Sequence, residues 1–301
     1  MATRELTADV PVLSGIANMF SSIWGTIRLL ARNRVGLLGL IGLLFFFLLT
    51  FVGPYIVPLD TTVKVSEIYA PLSWQHPLGT DSQGKDVWTQ IIHGGRELII
   101  VSIVAALLST VIGAGLGALA AVAGGWIDSA LMMLTDIWLT IPQLPLLIVL
   151  AAFIRVDNPA ALVLIIGLLS WPGLLRAVRS QVLAIKQRDF IEAARLLDLS
   201  TGHIIFREVL PNMMSYITIN FILAITAAMG FQATLVFLGV VPLSGTNWSV
   251  MIRLADTRGA IFSRDSFWYI MAPVLAISLF QLTLVALERG CAEVFNPRLR
   301  S

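Results

Sequence analysis

Charge is what this sequence has least of. Only 13% of its 301 residues are Asp, Glu, Lys or Arg, against 57% hydrophobic residues. Soluble domains carry about 25% charged residues, so a water-facing surface cannot be assembled from this chain and a bilayer is its natural solvent. Net charge is +2 and no basic run is long, which argues against a nucleic-acid partner. The single cysteine, Cys291, permits no internal disulfide. Three scattered histidines, His76, His93 and His203, show no metal-ligand spacing and are read as ordinary polar residues. No clustered acids, histidines or nucleophile with its base stand near one membrane face, so the chain is not expected to be an enzyme or to hold a metal or cofactor.

Long apolar runs are what it has. A span needs about 20 mostly apolar residues, and six stretches meet that measure: 35–57, 98–122, 129–154, 160–176, 213–240 and 267–288. The first starts too late for a secretory signal and no A-x-A site follows it, so it is expected to be an uncleaved anchor. Trp171-Pro172-Gly173 is expected to break the fourth near one face. With the N-terminus inside, the inner segments and Arg176 hold 13 Lys and Arg and the outer ones 7. Both termini are therefore expected to be cytoplasmic. The organisation that follows is a cytoplasmic segment 1–34, an anchor 35–57, an extracytoplasmic loop 58–97, a five-span core 98–289 with a cytoplasmic loop 177–212, and a tail 290–301. Apolar residues of 13–31 recur at helical spacing, which suits a helix lying in the inner interface or one packed on protein. In the second span Gly113, Gly117 and Ala121 recur every four residues, so another helix is expected to come close there.

The stretch GTDSQGKD, residues 79–86, has the glycine and lysine spacing of a phosphate-cradling loop, but Asp86 stands where that loop needs a hydroxyl. It is also expected outside the cytoplasm. Gly79 and Gly84 suit unusual backbone angles, and Asp81 and Asp86 suit caps of local structure. Contact with a delivery protein is the alternative use of this loop.

Residues 177–212 differ from the other connections. Val182, Ile185, Phe190, Ala193, Ala194 and Leu197 would mark one helical face, and Ser200 or Thr201 can cap a second helix. That helix is expected to expose Ile204, Ile205 and Phe206, which asks for a protein partner, and to end at Leu210-Pro211. Ile191-Glu192-Ala193-Ala194 with Phe206-Arg207-Glu208-Val209-Leu210-Pro211-Asn212 resembles the EAA loop of ATP-binding-cassette importer permeases. His76-Pro77-Leu78-Gly79-Thr80-Asp81 with Gly84-Lys85-Asp86-Val87 resembles the signature of dipeptide and oligopeptide permease subunits of the second, C type. Gly124-Gly125-Trp126-Ile127-Asp128, Phe237-Leu238-Gly239-Val240 and Asn296-Pro297-Arg298-Leu299 agree in the same order, so the resemblance runs from about 24 to 300.

The resemblance implies an all-α type I importer permease with six transmembrane helices in the cell (inner) membrane. It implies a homologous permease subunit as heterodimer partner, two ATP-binding subunits that hold ATP and Mg, and an extracytoplasmic substrate-binding protein. The loop implied to couple to the ATPase subunits comprises Glu192, Ala193, Ala194, Asp198, Ser200, Thr201, Gly202, His203, Phe206, Leu210 and Pro211. Cargo is expected to be di- or oligopeptide, with oligosaccharide or nickel as the alternatives known for this architecture.

Three positions depart from the family pattern. Asp198 replaces the usual loop glycine, either keeping the same left-handed backbone and capping the next helix or selecting a matching ATPase partner. Met132-Met133 stand where many relatives have an arginine. Glu288-Arg289-Gly290-Cys291 departs from the common C-terminal pattern. Pathway candidates are Asp136, Pro142, Gln143, Asn220 and Gln232. Asp136 is an acid within a span, so it either lines the path or reaches the inner interface. Pro142 and Pro145 kink their helix, which leaves Gln143 as a pathway residue or a packing detail. Asn220 and Gln232 either line a path or pack between helices. An ion-coupled secondary transporter would show buried acids paired with bases, or broken helices in both halves; Asp136 alone qualifies, with no partner evident in the sequence.

Overall fold

A computed structural model describes residues 27–295 apart from 155, 157, 242–245 and 263. Among them the chain is almost wholly helical, with one isolated bridge, Thr80 to Asp86, and no strand. Residues 13–26 of the interfacial pattern and the terminal 296–299 lie outside the described residues.

The helices are α1 (Arg34–Ile56), α2 (Val87–Ala123), α3 (Gly125–Thr140), α4 (Gln143–Ile154), α5 (Pro159–Leu169), α6 (Trp171–Ile185) and α7 (Asp189–Leu196). After them come a composite α8 (Thr201–His203, Ile204–Val209, Leu210–Asn212), α9 (Met214–Phe237), α10 (Trp248–Thr257) and α11 (Phe267–Phe295). Among the described residues four helices are long and apolar enough to cross a membrane, or up to six if each of the bent pairs α3–α4 and α5–α6 is one span. The chain is a multi-pass membrane protein.

Helix α2 is the centre. It packs against α5, α6 and α9, and its N-terminal part meets α10. It begins at Val87, well before the expected 98, because Asp86 caps it by accepting from Thr89 N at 2.8 Å. The small residues act as expected: a Cβ on Gly113 would lie 2.9 Å from Trp171 O, and one on Gly117 would lie 2.6 Å from Leu175 O. Both contacts are with α6, so backbone meets backbone there. A second close crossing joins α1 to α11, where a Cβ on Gly290 would lie 2.4 Å from Gly36 Cα. Trp248, fully buried, donates from Nε1 to Ile91 O at 2.8 Å and locks α10 onto α2.

The third span breaks instead of merely kinking, and the fourth breaks at Ser170, next to the expected Trp171-Pro172-Gly173. α3 and α4 meet at 84°, with Ile141 extended at the break. Pro142 has no amide hydrogen to continue the ladder, and it pushes the residue before it out of helical geometry. Pro145 sits in the first turn of α4, where a missing N–H costs nothing. α5 and α6 meet at 41° around Ser170, and Pro172 stands in the first turn of α6. That helix then runs on to Ile185 instead of stopping near 176.

Candidate functional site

The loop 58–86 folds on itself before α2 begins. Asp81 is buried and accepts from Gln83 N at 2.7 Å, Lys85 N at 2.9 Å and Gln90 Nε2 at 2.8 Å. Gly79 and Gly84 both have positive φ, at 70° and 72°. A Cβ on Gly84 would stand 2.0 Å from Lys64 O, so only glycine fits. His76 Nδ1 lies 3.1 Å from Asp86 Oδ1. At the rim, hydrogen bonds from Thr62 and the Lys64 ammonium hold the exposed Asp60 carboxyl down to about 2. GTDSQGKD is thus a turn closed by its own carboxylates.

At the other end of α2 a third apolar cluster forms. Ala114, Ala118, Ala121 and Val122 of α2 meet Val178 and Val182 of α6, Ile191 and Ala194 of α7, and Ile204, Ile205 and Val209 of α8. Lys186 Nζ donates to Ala121 O at 2.9 Å and ties the end of α6 to the same place. Arg179 grips Asp128 with two hydrogen bonds, one of them 2.6 Å, and fixes α3 against α6.

The proposed loop residues fall on this cluster as follows. Glu192 is exposed on α7 and Ala194 is 5% exposed beneath it; the side chains of Phe190, Ala193 and Arg195 lie outside the described residues. Asp198 has φ 53°, a left-handed backbone. It does not cap α8: Ser200 does, accepting from His203 N at 3.3 Å. Thr201 and Gly202 are exposed and His203 is half-buried. Ile204 and Ile205 are buried, at 4% and 5%, not exposed as the sequence implies. The reason is the π-helical run Ile204–Val209, whose wider turn brings both onto α2. Phe206 stays 70% exposed. Leu197, expected on the inner face, is 72% exposed beyond the end of α7, with Leu196 beside it at 83%. Pro211 does not end the helix: the π run closes with Leu210 N–H on Ile205 O, Leu210–Asn212 follows, and the chain turns at Met213.

The pathway candidates do not form one cluster. Asp136 does have a partner, Arg176 of α6, and both are exposed. Sequence separation hides this pair, because the break at Ser170 sets the angle at which α6 passes α3. Gln143 Nε2 donates to Ser170 Oγ at 2.7 Å, so it links the two broken spans, and Pro142 is exposed beside it. Asn220 turns its amide back to Tyr216 O at 2.9 Å. Gln232 is fully buried, with Oε1 3.5 Å from Ser102 Oγ and Nε2 without a partner. It packs between α9 and α2.

Comparison with known proteins decides the family. Residues 113–301 match the binding-protein-dependent transport system inner membrane component, and residues 22–76 match the N-terminal TM domain of oligopeptide transport permease C. This chain belongs to the binding-protein-dependent transport permeases. A Brucella abortus protein named as a peptide permease is 33% identical to this permease over 272 residues, 89% of this chain and 88% of the relative. The dipeptide transport system permease protein of Bacillus subtilis (strain 168) is 31% identical over 275 residues, 91% of this chain and 85% of the relative.

Proposed function

We propose that this permease forms half of the translocation pathway of an ATP-driven importer of di- or oligopeptides, and that α7 and α8 carry the thrust of partner ATPase subunits into it. The names of the relatives support the cargo class. The observation that carries the coupling role is the exposure of Leu196, Leu197 and Phe206 along α7, the link after it and α8. These three large apolar side chains are 83%, 72% and 70% exposed on a polar segment in which Ile191, Ile204 and Ile205 are buried. Exposed apolar surface of this kind marks a protein contact. Beneath it, Ile204, Ile205 and Val209 are packed on α2, so a push on Phe206 is delivered to the longest helix of the fold.

The ATPase subunits would bind ATP and Mg on the same side as both termini of this chain. A homologous permease would complete the pathway, and a substrate-binding protein would deliver cargo at the 58–86 end, in the inner membrane. The test is affinity purification from the native membrane. Wild-type chain is expected to bring down a second permease and an ATPase subunit, and Phe206→Asp to lose the ATPase while keeping the second permease. A charged residue at 206 without effect on ATPase recovery would sink the coupling role.

A further inference from the structure

Two ion pairs join α3 to α6, and they are unlike. Asp128 and Arg179 engage through both carboxylate oxygens and are 20% and 26% exposed. Asp136 and Arg176 touch through one oxygen and one nitrogen, and are 58% and 51% exposed. The second carboxylate oxygen of Asp136, and Nε and Nη1 of Arg176, have no other partner among the described residues. The first pair is spent on holding two helices together. The second keeps hydrogen-bonding capacity in reserve.

Its surroundings make that reserve unusual. Asp136 lies in an apolar span among Met133, Leu134, Ile137 and Leu139, which are themselves 44–64% exposed. Charges within a span are costly against hydrocarbon and are kept where they face water, protein or each other. The two helix breaks come together at the ends of the helices that carry the pair. Gln143 bonds Ser170 across them, Trp138 Nε1 donates to Leu169 O at 3.2 Å, and the Trp138 and Trp171 rings are 6.0 Å apart. Broken helices at membrane depth are tolerated where they line a cavity or are covered by protein.

We propose that Asp136 and Arg176 form a charge-paired site on the transport pathway that receives cargo with free termini, Asp136 taking the ammonium and Arg176 the carboxylate. This rests on the peptide-import reading above. Without cargo each group neutralises the other, so neither is left as a bare charge within a span. A zwitterion offers both groups a replacement at once, and the planar guanidinium fork suits a carboxylate. A cargo with one blocked terminus satisfies only one of them and strands the other.

The test uses the complete importer, with its partner permease, ATPase subunits and binding protein, reconstituted in vesicles. Uptake of alanyl-alanine is compared between wild type and the double variant Asp136→Asn, Arg176→Gln, which removes both charges and so avoids stranding one. The double variant is expected to co-purify with the ATPase subunits and to lose uptake tenfold or more. Wild-type uptake by the double variant would show that the pair only holds α3 to α6, and would overturn the proposal. In parallel, Asp136→Cys in a Cys291→Ala background is expected to react with a membrane-impermeant methanethiosulfonate, and more slowly when alanyl-alanine is supplied. A thiol at 136 that stays unreactive in the assembled complex would place the position against the partner permease or lipid, and would overturn the proposal too. Failure of wild type itself to move the dipeptide would instead remove the peptide-import reading, and this cargo assignment with it.

Discussion

At Asp198 a single backbone angle carries the departure from the family pattern. Its φ of 53° is the left-handed conformation that glycine enters freely and most side chains enter at a cost of about 1–2 kcal/mol. Aspartate is among the residues that tolerate it best. Asp198→Gly is therefore expected to stay within about 1 kcal/mol of wild type, and Asp198→Val to lose about 1–2 kcal/mol, read from thermal unfolding in detergent. If Asp198→Gly also keeps the ATPase subunits on purification, the residue is a backbone fixture and not a selector of partners. Gln232 poses the opposite case, a polar side chain in a fully buried place with its amide nitrogen unpaired. Ser102 Oγ donates to Leu98 O at 2.8 Å and does not depend on it. Gln232→Leu should hence cost less than about 1 kcal/mol, or stabilise, because a buried unpaired donor disappears. Transport by that variant is expected to be unchanged, and a large loss of uptake would return Gln232 to the pathway.

The elements show which parts of the sequence were legible. Six apolar stretches read by length alone proved helical, two of them with a break inside, since a span must satisfy most of its backbone within itself. The four-residue spacing of Gly113, Gly117 and Ala121 announced a close crossing, and α6 fills it. Gly117→Val is expected to push against Leu175 O, which a Cβ already meets at 2.6 Å, and to cost about 1–3 kcal/mol or prevent accumulation altogether. Immunoblotting of membranes and thermal unfolding would read this directly. Less was legible where the ladder changes pitch. Read as a short helix on the cytoplasmic side, 201–210 was expected to expose Ile204, Ile205 and Phe206 together, whereas the π run divides them into two buried residues and one exposed one. The partner of Asp136 was invisible for a different reason: Arg176 is 40 residues away along the chain. It comes into reach only through the bend at Ser170, which proline chemistry foretells without giving its direction.

For the whole molecule, one helix joins everything that has been described. α2 has 37 residues, about 55 Å at 1.5 Å per residue. Its first residue is hydrogen-bonded to the folded loop, Val87 N to Gly79 O at 3.1 Å, and its last turns carry the cluster beneath Phe206. A continuous helix of that length acts as a strut: it tilts or turns, but does not shorten. The protein thus contains its own ruler. Two spin labels, one at Lys85 and one at Arg207, are expected to report a single unchanging separation through a turnover cycle, while labels facing across to the proposed second permease report two. Whatever happens at one side of the membrane is then felt at the other with no relay between them, as a change of angle in one rigid body.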